Sequence, residues 1–295
     1  MKQKVVFIAS LSHSGSTLLN LLLGNHPKLI GLGEIDTILH MTPARLESEK
    51  VMRCSCGQRV ADCQFWSPAI SALLAHSQAT LRERYSILFD TFQTIYGDEY
   101  QIVDASKYIN ALRLMSALSE IELKVVHLIK DVRGFVVSHR DATEAEMKYR
   151  HLPVFGSTKF SRWLYLHTIK TPSYLFWKWY LRNTAIMRLL DSSSIQQHRV
   201  GYDELAQHPK EILLQLYELL EVEPASDSAT IPRQTNSHVF MGNPMLADQE
   251  KMGAVRYDDR WKTRRDWRIA SELFPHILRF NNEVVYSRLV PNSAN

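Results

Sequence analysis

Apolar residues along the chain form short continuous runs separated by helical stripes, a pattern typical of parallel α/β sheets. Residues 4–9 form a largely apolar run rich in β-branched side chains, as expected of a strand buried on both faces. Similar strand signals recur at residues 100–103, 123–129 and 198–202. The pattern therefore predicts a central, mostly parallel sheet.

Helical periodicity fills the intervals between these predicted strands. A leucine-rich stretch at residues 18–23 ends at Gly24, a common helix stop. Apolar positions within residues 112–118 and 212–220 have helical spacing, and the second set begins after Pro209. We predict one α/β domain over residues 1–295, with helices flanking the sheet. Insertions near residues 40–97, 140–195 and 225–268 are expected to build the ligand pocket.

Composition supports a globular protein and excludes several other classes. Of 295 residues, 45% are hydrophobic and 22% are charged, while Gly, Pro and Cys number 11, 11 and 3. These values exclude a disordered, collagen-like or disulfide-dense chain. No stretch approaches the ~20 apolar residues that a spanning helix needs. We therefore predict a cytoplasmic protein without a membrane span.

The net charge of +4 is too small to indicate a nucleic-acid-binding protein. The positive charge is concentrated near the C-terminus, where residues 251–268 contain seven basic and three acidic side chains. We call this stretch the C-terminal basic segment. The positive balance permits an anionic ligand but does not require one.

Small polar residues connect the first predicted strand to the first predicted helix. Residues 10–18, here called the first motif, read Ser-Leu-Ser-His-Ser-Gly-Ser-Thr-Leu. Small residues let backbone N–H groups point at an anion, and the helix dipole favours negative charge there. The lysine of a nucleotide-binding P-loop is absent, so the motif is only P-loop-like. A plain strand-to-helix turn with a serine N-cap is the structural alternative.

A second motif, residues 130–138, follows the predicted strand at residues 123–129. Lys130 lies at the strand end, and Ser138 follows eight positions later along the next predicted helix. A cation and a hydroxyl at this spacing can converge on one phosphate group.

Together the two motifs resemble those of sulfotransferases that use 3′-phosphoadenosine 5′-phosphosulfate (PAPS). Residues 14–17 match the family's Ser-Gly-[ST]-[ST] loop, and residues 130–134 with Ser138 match its second loop. Residues 26–34, 104–107, 202–205 and 238–261 contain further matches in the same order. The resemblance implies a P-loop-like α/β fold. It also implies transfer of a sulfuryl group from PAPS to a hydroxyl or amine of a soluble small-molecule, carbohydrate or lipid acceptor.

The resemblance also implies which residues hold PAPS, with the 5′-phosphosulfate on the first motif and the 3′-phosphate on the second. These residues are Ser12, His13, Ser14, Gly15, Ser16, Thr17, Leu18, Lys130, Arg133, Ser138, Tyr202, Gly242 and Asn243. Three positions depart from the family pattern. His13 replaces a Lys or Arg, Lys130 replaces an Arg, and Leu246 stands where an Arg is expected. Residues 225–268 are expected to cover the bound nucleotide.

For catalysis, the resemblance implies Glu34 as the base that deprotonates the acceptor, with Asp36 as the neighbouring alternative. An acid in the first turn of a helix is the structural alternative for Glu34. Lys107 and His13 are expected to stabilise negative charge on the sulfuryl and bridging oxygens.

Cys54, Cys56 and Cys63 form the remaining cluster. Three thiols within ten positions are a candidate zinc-ligand set, but a structural zinc site needs a fourth ligand. No histidine lies close in sequence, and His40 or His76 could complete the set only through folding. Similar segments occur in bacterial sulfotransferases, so we interpret the cluster as a structural element of the family. We predict that no metal is required.

Two other functions were weighed against this prediction. A P-loop-like nucleotide or small-molecule kinase would need Mg²⁺ and ATP, and the missing lysine argues against it. A non-enzymatic module that binds anions or nucleic acid through the C-terminal basic segment would leave both motifs unexplained. The predicted partners are therefore PAPS and an acceptor, with no nucleic acid. The sequence does not specify the acceptor or the oligomeric state.

Overall fold

The computed structural model describes residues 2–149, 171–225, 230–231, 235–242 and 253–286. The main strands in these ranges are β1 (Gln3–Ala9), β2 (Leu29–Gly33), β3 (Gln101–Lys107), β4 (Ile121–Ile129) and β5 (Gln196–Gly201). They form one parallel sheet in the order β2-β3-β1-β4-β5. This arrangement confirms the predicted α/β fold with a central parallel sheet.

Strand β1 lies at the centre of the sheet, paired with β3 on one side and β4 on the other. Val5 and Phe7 pack into the core on one face of the sheet, and Val6 and Ile8 pack into the core on the other. None of the four is more than 1% exposed. The continuous apolar run therefore reflects burial on both faces, as predicted.

Helices flank the sheet and fill the insertions. They are α1 (Ser16–Leu23), α2 (Ile35–Leu39), α3 (Pro43–Glu49), α4 (Trp66–Ala75), α5 (Leu81–Tyr96), α6 (Ile109–Ser116), α7 (Val132–Tyr149), α8 (Pro172–Asp191), α9 (Tyr202–Gln207), α10 (Pro209–Leu220), α11 (Arg260–Thr263), α12 (Arg268–Leu273) and α13 (Pro275–Val285). A short 3₁₀ helix spans Val60–Asp62, and β6 (Thr230–Ile231) pairs antiparallel with β7 (Gly253–Ala254). Helices α1 and α10 end where the sequence predicted, at Leu23 and Leu220.

Strand β2 was not predicted, because two of its five residues are glycine and glycine disfavours strands. Tertiary contacts explain one of these glycines. A Cβ atom on Gly31 would lie 2.4 Å from Asn20 Oδ1 and 3.0 Å from Ser237 Oγ. The Gly31 N–H also donates to Ser237 Oγ at 2.8 Å. Close approach of α1 and the 235–242 segment therefore requires a residue without a side chain here.

The strand order reverses at β1, since the chain leaves β3 on one side and enters β4 on the other. Open parallel sheets bind ligands at the carboxyl ends of the strands that flank such a switch point. The ends of β1, β3 and β4 therefore define where a ligand site is expected. Parts of the predicted insertions at residues 140–195 and 225–268 lie outside the described residues.

Candidate active site

A predicted site residue lies at the carboxyl end of each of the five parallel strands. The first motif follows β1, Glu34 follows β2, and Lys107 ends β3. Lys130 follows β4, and Tyr202 follows β5. Residues predicted from separate parts of the sequence are thus brought to one edge of the sheet.

The first motif forms a tight turn between β1 and α1. Both His13, with φ 66°, and Gly15, with φ 93°, have left-handed backbone conformations. The Ser14 N–H donates to the Leu11 carbonyl at 3.2 Å, closing the turn. This turn leads directly into the N-terminus of α1, and the N-terminus of a helix favours an anion through its backbone N–H groups and its dipole.

Side-chain burial differs along the first motif. Ser12, His13 and Gly15 are half-buried, and the residues at the start of α1 are buried. The buried members of the motif are Ser10, Leu11, Ser14, Ser16, Thr17 and Leu18. Any ligand at this turn would therefore meet hydroxyl and backbone donors in a largely desolvated environment, where electrostatic interactions are stronger than in water.

The two ends of the second motif converge, as predicted. Lys130 Nζ lies 2.9 Å from Ser138 Oγ, because α7 carries Ser138 back over the strand end. A carboxylate that the sequence did not indicate joins them. Asp258 Oδ2 lies 2.8 Å from Lys130 Nζ and accepts from Ser138 Oγ at 3.2 Å. The second motif thus holds an anionic group at the point where its cation and hydroxyl meet.

Asp258 is also bound by Arg260, whose Nε and Nη2 lie 2.7 and 2.9 Å from its two carboxylate oxygens. Burial opposes ionisation, yet Arg260 and Lys130 hold the pKa of Asp258 well below its usual range. The carboxylate is therefore charged across the physiological pH range. No local sequence pattern links Asp258 to Lys130, because 128 positions separate them.

The Tyr202 ring connects the two motifs. A Cβ atom on Gly15 would lie only 2.4 Å from Tyr202 Cδ2, so the ring packs directly on the first motif. Lys130 Nζ lies 4.6 Å from the centroid of the same ring, within the range of a cation–π interaction. Tyr202 therefore fixes the spacing between the first and second motifs.

Among the described residues, no side-chain hydrogen bond or ion pair joins Arg133 to Lys130 or Ser138. Its guanidinium makes two hydrogen bonds to the buried Asp131, at 2.9 and 2.7 Å. It also lies 3.9 Å from the centroid of the Trp261 ring. In this arrangement Arg133 links the start of α7 to the C-terminal basic segment.

Glu34 and Lys107 form an ion pair between the ends of β2 and β3. Their side chains are only 14% and 10% exposed, so the pair is largely shielded from water. Gly242 lies beside them, since a Cβ there would be 3.7 Å from Glu34 Oε1 and 3.2 Å from Thr17 Oγ1. The structure thus brings Glu34, Lys107 and Gly242 to the first motif. Asn243 lies outside the described residues.

A buried network behind Glu34 holds α2 against β3. The backbone N–H and Oγ of Ser106 both donate to Asp104, and Ser106 Oγ accepts from the Asp36 N–H at 2.8 Å. Asp36 itself accepts a hydrogen bond from Tyr85 at 3.3 Å and lies 3.4 Å from His40. The alternative base, Asp36, is therefore engaged in this network.

Burial strongly affects the acidity of this network. Asp104 has no exposed surface, and burial raises its pKa to about 7 against the opposing effect of the Ser106 hydrogen bonds. Burial also raises the pKa of Asp36, while His40 and Tyr85 act in the opposite direction. The sequence signal for this network was the Asp-Ala-Ser-Lys run at the end of β3.

His13 is placed against α7. Its ring lies 4.9 Å from the ring of His139 in an edge-to-face arrangement, and His139 in turn contacts Phe135. His139 was not predicted, although it directly follows Ser138 in the sequence. The two histidines form a second connection between the first motif and the helix of the second motif.

The described part of the C-terminal basic segment, residues 253–268, packs on α7, and two of its arginines form ion pairs. Arg260 Nη1 and Arg264 Nη1 lie 2.6 and 3.1 Å from the carboxylate of Asp141 on α7. Arg264 also pairs with Asp266. The net positive charge that the sequence shows in this segment is thus partly neutralised by α7.

Comparison with known proteins identifies the class. The model of the sulfotransferase family matches residues 5–227, and the chain belongs to that family. The fold is similar to the sulfotransferase domain from the curacin biosynthetic pathway, with 18% identity and a TM-score of 0.55 over 93% of this chain and 98% of that one. It is also similar to mouse sulfotransferase SULT7A1 complexed with PAP, with 10% identity and a TM-score of 0.50 over 97% and 90% of the chains.

No curated protein sequence matches the chain. Among the described residues, none of the helices combines the length and apolar character required to cross a bilayer. The predicted family and enzyme class, a sulfotransferase, are confirmed by the family match.

The raised pKa of Asp104 predicts a pH-dependent stability. Between about pH 4 and 7 the folded chain keeps Asp104 protonated while the unfolded chain does not, so this group's contribution to stability falls as pH rises. The quantity to follow is the free energy of unfolding of the wild type minus that of Asp104→Asn. We expect this difference to fall by up to about 4 kcal/mol as pH rises through this window.

Urea denaturation across the pH range measures this difference. Asp90→Asn removes an exposed carboxylate on α5 and should show no such trend relative to wild type. If the stability difference between wild type and Asp104→Asn stays flat or grows as pH rises, the pKa of Asp104 is not raised in the folded chain.

Proposed function

We propose that this sulfotransferase takes its sulfuryl group from PAPS and that the two motifs bind the two ends of that nucleotide. The observation that carries the proposal is the Tyr202 ring, which packs on Gly15 and lies under Lys130 Nζ. One ring in contact with both motifs is consistent with one elongated ligand touching both. PAP, the desulfonated product, is the ligand present in the mouse structure.

The first motif supplies the donors suited to the 5′-phosphosulfate. Backbone N–H groups at the N-terminus of α1 and the hydroxyls of Ser14, Ser16 and Thr17 face an anion without needing a metal. Residues 12–18 are accordingly proposed to bind the reactive end of PAPS. His13 takes the place of a permanent cation, so its contribution depends on its protonation.

The second motif and Ser138 are proposed to bind the 3′-phosphate. The Asp258 carboxylate lies where Lys130 and Ser138 converge. Two anionic groups in one partly buried site repel each other, so a phosphate would have to displace Asp258. Tyr202, which contacts both motifs, and Gly242, which lies beside Thr17, are proposed to border the nucleotide. We extend this role to Asn243 and Arg133 only through the family resemblance.

Glu34 is proposed as the base that accepts the proton of the acceptor hydroxyl or amine. As this proton leaves, the acceptor atom bonds to sulfur and the bond from sulfur to the phosphate oxygen breaks, leaving PAP with the negative charge. Lys107 has three N–H donors, and only one is needed for Glu34. The other donors can face the oxygens on which charge accumulates.

The acceptor is proposed to be a soluble small molecule, carbohydrate or lipid. The curacin domain acts in a biosynthetic pathway, and natural-product tailoring is the role we carry over from it as part of this proposal. The cytoplasmic location stays a prediction from the sequence.

The function is tested by incubating the chain with isotopically labelled PAPS and a panel of alcohols, phenols, sugars and amines. Mass spectrometry should detect an acceptor that gains one sulfuryl group, together with equimolar PAP, in the absence of Mg²⁺. Calorimetry measures the binding of PAP directly, so this part of the test does not depend on finding the acceptor. If neither PAP nor PAPS binds, the proposal fails whichever acceptors were tried.

Replacing the base tests the chemical step separately. Glutamine cannot accept a proton, so Glu34→Gln should lower kcat by about a hundredfold or more. The Kd for PAP should stay within about threefold of the wild-type value, because the two motifs, and not Glu34, are proposed to bind the nucleotide. Glu47→Gln changes an exposed glutamate on α3 and serves as the control. Near-normal kcat in Glu34→Gln would remove Glu34 from the base role.

The 3′-phosphate site is tested by comparing PAP with 5′-AMP, which lacks that phosphate. Lys130→Ala and Ser138→Ala should weaken PAP binding about tenfold, since each removes a direct phosphate contact. Asp258→Asn should tighten PAP binding severalfold by removing the competing charge. None of the three should change the affinity for 5′-AMP by more than about twofold.

Asp259→Asn is the matched control, because it removes the same charge from the adjacent, exposed aspartate. Isothermal titration calorimetry gives all the affinities. Equal effects on PAP and 5′-AMP, or weaker PAP binding by Asp258→Asn, would contradict this placement of the 3′-phosphate.

A further inference from the structure

Three cysteines and one histidine converge outside the candidate active site. Cys54, Cys56 and Cys63 come from the chain between α3 and α4, and His238 comes from the segment at residues 235–242. One ligand atom from each of the four lies within 4.8 Å of every other. Cys54, Cys63 and His238 are buried, and Cys56 is half-buried. The chain thus supplies the fourth ligand that the sequence alone did not reveal.

The two histidines considered from the sequence lie elsewhere. His40 Nδ1 contacts the backbone carbonyl of Asp36, and His76 Nδ1 contacts that of Ala72 within its own helix. His238 lies 175 positions from Cys63, so no local spacing could indicate it.

The separations between the four atoms fit a tetrahedral metal ion. Zinc bonds of about 2.3 Å to sulfur and about 2.05 Å to nitrogen give tetrahedral edges of about 3.8 Å between sulfurs and about 3.6 Å between sulfur and nitrogen. The Sγ of Cys63 lies 3.8 Å from that of Cys54 and 3.9 Å from that of Cys56. His238 Nδ1 lies 3.2 Å from Cys63 Sγ and 3.9 Å from Cys54 Sγ.

The hydrogen bonds around His238 orient its ring for this role. Nδ1 faces the sulfurs, while Nε2 contacts the hydroxyl of Tyr96. A ligating Nδ1 carries no proton, so Nε2 must carry it and can donate to Tyr96. Metal-ligating histidines usually donate their other ring N–H in this way. The ring also stacks on Phe65, with the centroids 5.9 Å apart, which restricts its rotation.

The backbone around the cysteines is folded into a compact loop. The Cys54 N–H donates to the Gln58 carbonyl at 2.9 Å, and Gly57 turns the chain with φ 89°. The Trp66 N–H points at Cys63 Sγ from 3.4 Å. Backbone N–H groups directed at sulfur stabilise a thiolate, the form that binds metal.

The chemistry of the ligand set selects the metal. Three thiolates and one imidazole at tetrahedral spacing suit Zn²⁺, whereas Mg²⁺, Ca²⁺ and Mn²⁺ prefer oxygen ligands. Four protein ligands fill a tetrahedral coordination shell, as in structural zinc sites, and leave no open position for catalysis. A cavity of about 370 Å³ borders the cluster, with Cys56, Tyr96 and His238 among its lining residues.

We propose that Cys54, Cys56, Cys63 and His238 bind one structural Zn²⁺ ion. The ion would join the 54–63 loop to the segment at residues 235–242. That segment runs along β2, where the His238 N–H donates to the Gly31 carbonyl at 2.7 Å. Gly242, in the same segment, lies beside Glu34 and Thr17. The zinc therefore holds in place a segment that borders the candidate active site, without taking part in the reaction.

Metal analysis of the purified full-length chain is the first test. Protein prepared in reducing buffer without added metal should contain about one zinc per chain by mass spectrometry of the elements. Cys63→Ser and His238→Ala should each lower this content below about 0.2 per chain, because three ligands hold zinc much less tightly than four. His76→Ala, which changes an exposed histidine outside the cluster, should retain the full zinc content.

Thiol labelling and cobalt spectroscopy keep the test decisive if the variants do not fold. In the wild-type chain all three thiols should resist alkylation until a chelator is added, and added Zn²⁺ should restore their protection. Co²⁺ replacing zinc should give the intense visible bands of a tetrahedral thiolate site. Zinc below about 0.1 per chain, with thiols that Zn²⁺ does not protect, would overturn the proposal. Stoichiometric iron would overturn the assignment to zinc.

Discussion

Strand β1 lies at the centre of the sheet with both faces buried, and this placement determines where the candidate site residues lie. Because its neighbours β3 and β4 run parallel to it, their carboxyl ends meet beside the turn that follows β1. Lys107 and Lys130 thereby reach the first motif from opposite sides. Neither cation could be placed there by local structure alone, since at least 89 positions of chain separate Lys107 from residues 10–18 and at least 112 separate Lys130 from them. The sheet is therefore the scaffold on which the anion site depends.

The electrostatics of the site are local rather than global. The chain has a net charge of only +4, and two arginines of the C-terminal basic segment, Arg260 and Arg264, form ion pairs with Asp141, Asp258 and Asp266. What remains is a small number of buried, directed donors at the ends of the strands. The Tyr202 ring packs between the first motif and Lys130. An anionic ligand would therefore meet donors whose positions are already fixed.

The parts of the fold that the sequence predicted are those encoded locally. An apolar run, a group of small polar residues and a glycine stop together specify β1, the first motif and α1. Strand β2 could not be predicted, because one of its two glycines, Gly31, is required by contacts with Asn20 and Ser237 from other elements. The convergence of Lys130 and Ser138 follows from helical geometry, whereas Asp258 reaches them only through tertiary folding.

The distinction between locally encoded features and those that arise only from tertiary folding also applies to Arg133 and to the cysteine cluster. Arg133 matched a family motif, but Asp131 lies two positions away and its buried carboxylate pairs with the guanidinium. The three cysteines were visible as a set, while their fourth partner was not, because His238 belongs to a distant segment. The single domain over residues 1–295 and the roles of the site residues stay predictions.

Hydrogen exchange with and without PAP tests most directly whether the two motifs bind one nucleotide. The account predicts that PAP slows amide exchange both in residues 10–18 and in residues 130–138. It also predicts that 5′-AMP, without the 3′-phosphate, protects the first motif far more than the second. Unchanged exchange in either motif at saturating PAP would contradict the account.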